Sequence, residues 1–262
     1  MSFASFAGSP LDAFIDAERA VNALWFFVHI PKTAGTSMSS ELDRIRSPYA
    51  NIAVDYARSD VAHADSIRQA VEAFSAVQIG AMRSASGHVP ADLLGSVTRA
   101  RAETRFFSLL RDPVQRVISD YTYQTTPAHP PFETFKKRYP RIEDYVLDPI
   151  DQNKMFYFLS GERGTQNFAA SYKAIEQRFS FIGLVELYPM SFNIISRMMG
   201  EPALPTERRR VTSAQAKEGV PVTASLVTLI RQVNHLDQQL YDRVAGTLVP
   251  KLAEWDALQA RA

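Results

Sequence analysis

The chain predicts an α/β fold, a three-layer sandwich with a central, mostly parallel sheet and helices on both faces. Three observations carry this. Residues 24–46 and residues 105–123 each read as a buried strand, a turn of small or charged residues, and a helix, in that order. A third buried strand is read at Phe179 to Glu186, a run dominated by aromatic and branched residues. Strands that alternate with helices pair in parallel, because each crossover helix returns the chain to the end at which the previous strand began.

The first strand is read over Leu24 to Ile30, and helix-forming character begins at Ser37 and continues through Arg46. Between them lies Pro31-Lys32-Thr33-Ala34-Gly35-Thr36, a small, hydroxyl-bearing loop with one lysine. In that order the free backbone N–H groups of the helix start face the loop and the helix dipole adds partial positive charge. Lys32, Thr33, Thr36 and Ser37 add further donors, a set suited to a phosphate or sulfate ester. A helix follows at Ser66 to Phe74, then a strand around Val77 to Ala81.

In the second strand–turn–helix, Asp112 is placed as N-cap and Pro113 as the first helical residue. Arg111 then falls at the carboxyl end of a buried strand, where open α/β sheets bind ligands. Val114 to Tyr123 reads as the helix. Gln124 to Tyr139, with Pro127, Pro130 and Pro131, reads as a surface loop. A further helix is expected at Thr223 to Val233.

Composition bounds these expectations without supplying them. With 262 residues and 46% hydrophobic content the chain can bury one substantial core, and no repeat divides it, so a single domain over 1–262 is expected, with 1–20 as an N-terminal extension. A net charge of +1, from 29 basic and 28 acidic residues, argues against a general nucleic-acid binder. With no cysteine there is no disulfide framework, thiolate metal site or cysteine nucleophile. No segment approaches the ~20 apolar residues of a membrane span, and the first residues lack a basic region followed by an apolar stretch. The expectation is a cytoplasmic protein that needs no metal.

The loop is not a Walker A sequence, in which the lysine follows the glycines and directly precedes Ser or Thr. Over His29-Ile30-Pro31-Lys32-Thr33-Ala34-Gly35-Thr36-Ser37 it resembles the 5′-phosphosulfate loop of sulfotransferases that use 3′-phosphoadenosine-5′-phosphosulfate (PAPS), in particular the carbohydrate branch that includes the heparan 2-O-sulfotransferases. Pro-Lys-Thr alone would be an ordinary exposed turn, whereas nine consecutive positions are a specific pattern. The resemblance implies a P-loop-like sandwich in which Lys32, Thr33, Ala34, Gly35, Thr36 and Ser37 hold the phosphosulfate. It also implies that Arg111 and Ser119, eight residues apart, hold the 3′-phosphate. Arg111-Asp112-Pro113 by itself is a common start of a helix.

Other segments fit the family in the same order along the chain. Ser86-Gly87-His88-Val89-Pro90 resembles a segment whose histidine stands beside the acceptor hydroxyl, and Phe179 to Glu186 and Asn234 to Tyr241 resemble two further family signatures. Residues 124–178 correspond to a helical and looped acceptor-side region. Within it Asp151 to Gly161 resembles a helix whose polar residues face the acceptor, making Asn153 and Lys154 candidates for substrate contact. Glu207 to Ser213 lies where such enzymes fold a loop over the nucleotide. At most one of its three arginines, taken as Arg209, is expected to touch it, since adjacent arginines are usually solvated.

The implied reaction is in-line transfer of a sulfuryl group from PAPS to a hydroxyl of a saccharide or glycolipid. Lys32 would stabilise charge on the leaving oxygen. His88 would take the acceptor proton, an imidazole of ordinary pKa ~6.5 being a suitable base near neutrality. One departure from the family stands here: the heparan enzymes carry a second histidine two positions before the one matching His88, and this chain has Ser86. Glu41 and Glu186 stay open as alternative bases. His29 reads as a core residue, and His63, His129 and His235 have no supporting context. Two other functions fit the loop: a nucleotide-dependent kinase with a variant phosphate loop, for which Val54-Asp55 is a poor metal-binding pair, and a non-catalytic adenine-nucleotide binding module.

Overall fold

The computed structural model describes residues 2–53, 60–127, 129, 131–206 and 220–261, the side chains of 60–63 excepted. Among them five strands form one sheet: β1 (Leu24–Val28), β2 (Tyr49–Ile52), β3 (Ser84–Gly87), β4 (Thr104–Leu110) and β5 (Phe179–Leu184), in the spatial order β2-β3-β1-β4-β5. Every neighbouring pair is parallel. A parallel sheet is covered on both faces, which is why all five residues of β1 and all six of β5 are buried. The register sets Phe27 opposite both Ser86 and Phe107, so these three side chains share one face of the sheet.

Helices cover both faces. After β1 the chain makes α1 (Gly35–Ile45), which packs on β2 and β3. The helix Tyr188–Met198 packs on β5, and the buried Arg46, just past α1, donates to the carbonyl of Met199 at 3.0 Å. The other layer holds the helices Asp60–Ala73 and Leu94–Ala100, which pack on each other, with Lys154–Ser160 and Phe168–Arg178 farther along. α2 (Pro113–Gln124) follows β4 and packs against Ile142–Val146 and Ala224–Val233, where Val117, Tyr121, Tyr145 and Ile230 belong to a second, smaller core. The first residues of the chain join the main core, with Phe6 edge-on to Phe181 at 5.6 Å between ring centres. No helix among the described residues is long and apolar enough to cross a membrane.

Several elements differ from the sequence reading. The strand placed around Val77 to Ala81 is a helical stretch, a π turn at Phe74–Gln78 followed by a 3-10 turn at Ile79–Ala81, with Val77 exposed. The strand lies farther on, at Ser84–Gly87, whose small polar residues resemble a loop in sequence. Their hydroxyls have partners: Ser84 Oγ donates to the carbonyl of Arg46 at 2.9 Å, and Ser86 Oγ donates to Asn51 Oδ1 at 3.1 Å. The loop read over Gln124 to Tyr139 contains the helix Phe132–Arg138. β1 stops at Val28, two residues early, and α1 starts at Gly35, two residues before Ser37.

Candidate functional site

In this strand order the chain leaves β1 toward β3 and β2 but leaves β4 toward β5, so the crevice beyond the carboxyl ends of β1 and β4 is the topological switch point. The loop after β1 and the turn after β4 both open there. Lys32 and Ala34 have positive φ, 70° and 62°, and these two left-handed residues curl the chain between Ile30 and α1. Thr33 is fully buried and closes the curl, its hydroxyl donating to the carbonyl of Ile30 at 2.9 Å. Ala34 is the N-cap of α1, and as an alanine it has no side-chain acceptor for the first N–H groups. A helix start whose N-cap offers no acceptor is a place where an anion can satisfy those groups.

Arg111 comes from the second strand and meets the first loop. Its Nη1 donates to the carbonyl of Lys32 at 3.3 Å. Burial lowers its pKa, opposed by Glu186 and Asp112, and an arginine so placed keeps its charge. The turn behind it is built as expected: Asp112 Oδ1 accepts from the N–H of Gln115 at 2.9 Å and Pro113 occupies the first turn of α2. Ser119 lies buried two turns along the same helix.

α2 brings a second set of groups to Lys32. The Lys32 ammonium sits over the Tyr123 ring, 4.1 Å from its centre, a cation–π contact. One turn earlier on α2, the buried Asp120 accepts from the hydroxyl of Tyr145 at 3.0 Å and lies 3.4 Å from Lys154 Nζ and 3.3 Å from Arg116 Nη1. Burial alone would raise the Asp120 pKa; Lys154, Arg116 and Lys32 outweigh it and bring it down to about 2. A carboxylate held so firmly ionised is a poor proton acceptor, so Asp120 is an electrostatic partner of Lys32 and Lys154 rather than a base.

His88 follows β3 and stands beside His29. The two imidazoles stack with centres 4.0 Å apart and planes at 29°, and His88 Nδ1 lies 2.7 Å from the backbone carbonyl of His29. A carbonyl only accepts, so Nδ1 carries the proton in the neutral ring and Nε2 is the basic nitrogen. His29 is half-buried, its ring pressed on the first residue of α1, where a Cβ at Gly35 would fall 1.5 Å from His29 Nε2. Burial, with His88 and Lys32 next to it, holds the His29 pKa well below its usual range, so the ring is neutral at pH 7. Read in sequence as an ordinary core residue, His29 thus lines the same crevice as His88. Its spacing from Phe27, two residues back on one face of the strand, was the available signal.

The remaining candidates are placed as follows. Asn153 is buried in the framework: its Oδ1 accepts from the N–H of Leu236 at 2.9 Å and its Nδ2 donates to the carbonyl of Val233 at 3.2 Å. Asp237 returns the arrangement, accepting from the N–H of Phe156 at 2.7 Å and of Met155 at 3.2 Å, so each of two helices is capped by a residue of the other. Glu41 accepts from Thr206 N–H at 2.6 Å and pairs with Arg44, and Glu186 accepts from the N–H of Asp112 at 2.9 Å. Both carboxylates are tied into the framework. Arg209, its neighbours Arg208 and Arg210, and Val54-Asp55 lie outside the described residues. Among the described residues no group of three His, Asp or Glu side chains is disposed to hold a metal ion. A separate hollow of about 460 Å³, lined in part by Asp92, Arg99, Phe106 and Arg178, lies at the amino end of β4, away from this crevice.

No protein-family model matches the chain, and no curated protein matches it. Among solved structures, the crystal structure of mouse sulfotransferase SULT7A1 complexed with PAP is similar at 14% identity and a TM-score of 0.40, over 87% of this chain and 69% of that one. At that level neither fold nor activity transfers, and the α/β architecture rests on the strand pairing described above.

Proposed function

We propose that the protein is a sulfotransferase that moves a sulfuryl group from PAPS to a hydroxyl of a saccharide or glycolipid acceptor, with residues 1–262 acting as one catalytic domain. The observation that carries this reading is the meeting of Arg111 with the Lys32 loop at the switch point. It puts a guanidinium, an ammonium and the start of α1, whose N-cap is an alanine, around one crevice.

The residues present suit the donor chemically. The loop from Lys32 to Ser37 would hold the phosphosulfate, and Arg111 with Ser119 the 3′-phosphate. The donor supplies an activated S–O bond whose cleavage leaves negative charge on a phosphate oxygen. Lys32 is the group to stabilise that charge. As the acceptor oxygen bonds to sulfur, its proton passes to Nε2 of His88, whose Nδ1–H stays on the His29 carbonyl. Lys154, held beside Asp120, would contact the acceptor, and Arg209 the nucleotide.

The test is transfer itself: purified protein, PAPS and a panel of neutral and acidic saccharides and glycolipids, read by mass spectrometry for one added SO3 per acceptor. Magnesium-dependent transfer from ATP instead would establish the kinase reading, and tight nucleotide binding without transfer to any acceptor would leave the binding module.

A further inference from the structure

We infer that His29 is a positioning residue for His88, fixing both the plane of its ring and the nitrogen that carries its proton. The inference rests on reading His88 as the base, and it is carried by a column of rings. Phe107 stacks on Phe27 with centres 5.2 Å apart, Phe27 stacks on His29 at 5.5 Å with planes at 16°, and His29 stacks on His88 at 4.0 Å. Phe158 meets the far end of the column edge-on at 6.5 Å. Phe27 and Phe107 are fully buried in the centre of the sheet, so the column runs from the most rigid part of the core to the crevice.

His29 acts on His88 at two points. Its backbone carbonyl receives Nδ1–H, and its ring face sets the plane in which that hydrogen bond can form. Free imidazole has no such constraint and places its proton on either nitrogen. Gly35 is what allows the ring to lie there, because any Cβ at that position would occupy the space of the His29 ring. The groups shown to face His29 are His88 and Lys32, both able to carry positive charge, and the burial of the ring adds to their effect in keeping His29 neutral. A neutral ring face is a favourable neighbour for the imidazolium that forms on His88 during transfer. A second proton on His29 would set two cations 4.0 Å apart.

The decisive measurement is ¹⁵N NMR of the histidine side chains in the full chain, together with transfer kinetics, for wild type, His29→Phe and His29→Ala. The wild type should show neutral His88 protonated on Nδ1. His29→Phe keeps a ring in the stack and the carbonyl in place, and should keep that tautomer with turnover within a few-fold of wild type. His29→Ala removes the stack, and should give mixed tautomers and a kcat lower by about 10–100-fold, the cost of a misoriented group, at unchanged nucleotide affinity. Wild-type His88 protonated on Nε2 would overturn the inference even if neither variant folds. So would a His29→Ala enzyme with unaltered tautomer and turnover, or a His29→Phe enzyme as impaired as His29→Ala. If the wild type transfers no sulfuryl group at all, the sulfotransferase reading falls, while the tautomers still decide whether His29 positions His88.

Discussion

The guanidinium of Arg111 donates to the carbonyl of Lys32, 3.3 Å away, and so joins the turn after β4 to the loop after β1. That bond spans the point where the sheet's connections diverge. It makes the two loops one unit, in which each loop's position depends on the other.

If Arg111 holds a 3′-phosphate, the protein should bind 3′-phosphoadenosine-5′-phosphate far more tightly than AMP. A charge-assisted contact to phosphate contributes about 1.5–3 kcal/mol, or roughly 10–100-fold in affinity. Arg111→Ala should erase the preference and also loosen the Lys32 loop, raising the Kd for AMP as well. Calorimetry with both nucleotides on both proteins is the check. Equal wild-type affinities would remove the basis for the assignment.

The sheet was legible in sequence where burial and chemistry agree. β1, β4 and β5 are apolar runs ending in distinctive turns, and Asp112-Pro113 announced the start of α2. β2 and β3 escaped because a four-residue edge strand and a central strand of Ser-Ala-Ser-Gly carry no apolar periodicity. What makes Ser84 and Ser86 strand residues is their burial against β1, a tertiary fact. Val77 misled for the opposite reason, a β-branched residue exposed on a π turn. At the site, Lys32, His88 and Arg111 stood out by motif, whereas Tyr123 under Lys32 and Asp120 beside Lys154 come together only through the face that α2 presents. Asn153 stands out in sequence only through the resemblance of its segment to a helix facing the acceptor, and its bond to the N–H of Leu236, 83 residues on, is invisible there.

Asp120 should make stability depend on pH in acid. Its pKa falls from 3.8 to about 2 on folding, so its ionised form stabilises the fold above the unfolded pKa and the contribution is lost as pH falls through the folded one. Linkage puts this at about 2 kcal/mol. Asp120→Asn leaves Arg116 and Lys154 without their shared carboxylate, which should cost about 3–5 kcal/mol near neutrality. The gap between wild type and variant, measured by urea unfolding, should narrow between pH 4 and pH 2. A gap independent of pH would mean that Asp120 has the same pKa folded and unfolded, so that Lys154 and Arg116 do not hold it ionised.

If the protein is a sulfotransferase, transfer should persist in EDTA, because Lys32, Arg111 and the start of α1 would supply the positive charge that a divalent cation supplies to ATP-dependent enzymes. Activity lost to the chelator and restored by magnesium would point to the kinase reading.

Lys32 and His88 should separate binding from chemistry. Lys32→Ala should weaken nucleotide binding and slow transfer, since on the proposed reading the ammonium would meet the phosphosulfate in the ground state as well as at the leaving oxygen. His88→Ala should bind nucleotide normally and lose about 10² to 10⁴ in kcat, the usual range for a general base. The structure sharpens the contrast: Asp120 is too acidic to replace the imidazole, and Glu41 and Glu186 are committed to Thr206, Arg44 and Asp112. The loss in His88→Ala should therefore not be recovered at any pH from 6 to 9. Wild-type turnover in His88→Ala would remove the base assignment. Lost nucleotide affinity in the same variant would make His88 part of the wall of the site, held by His29 for shape alone.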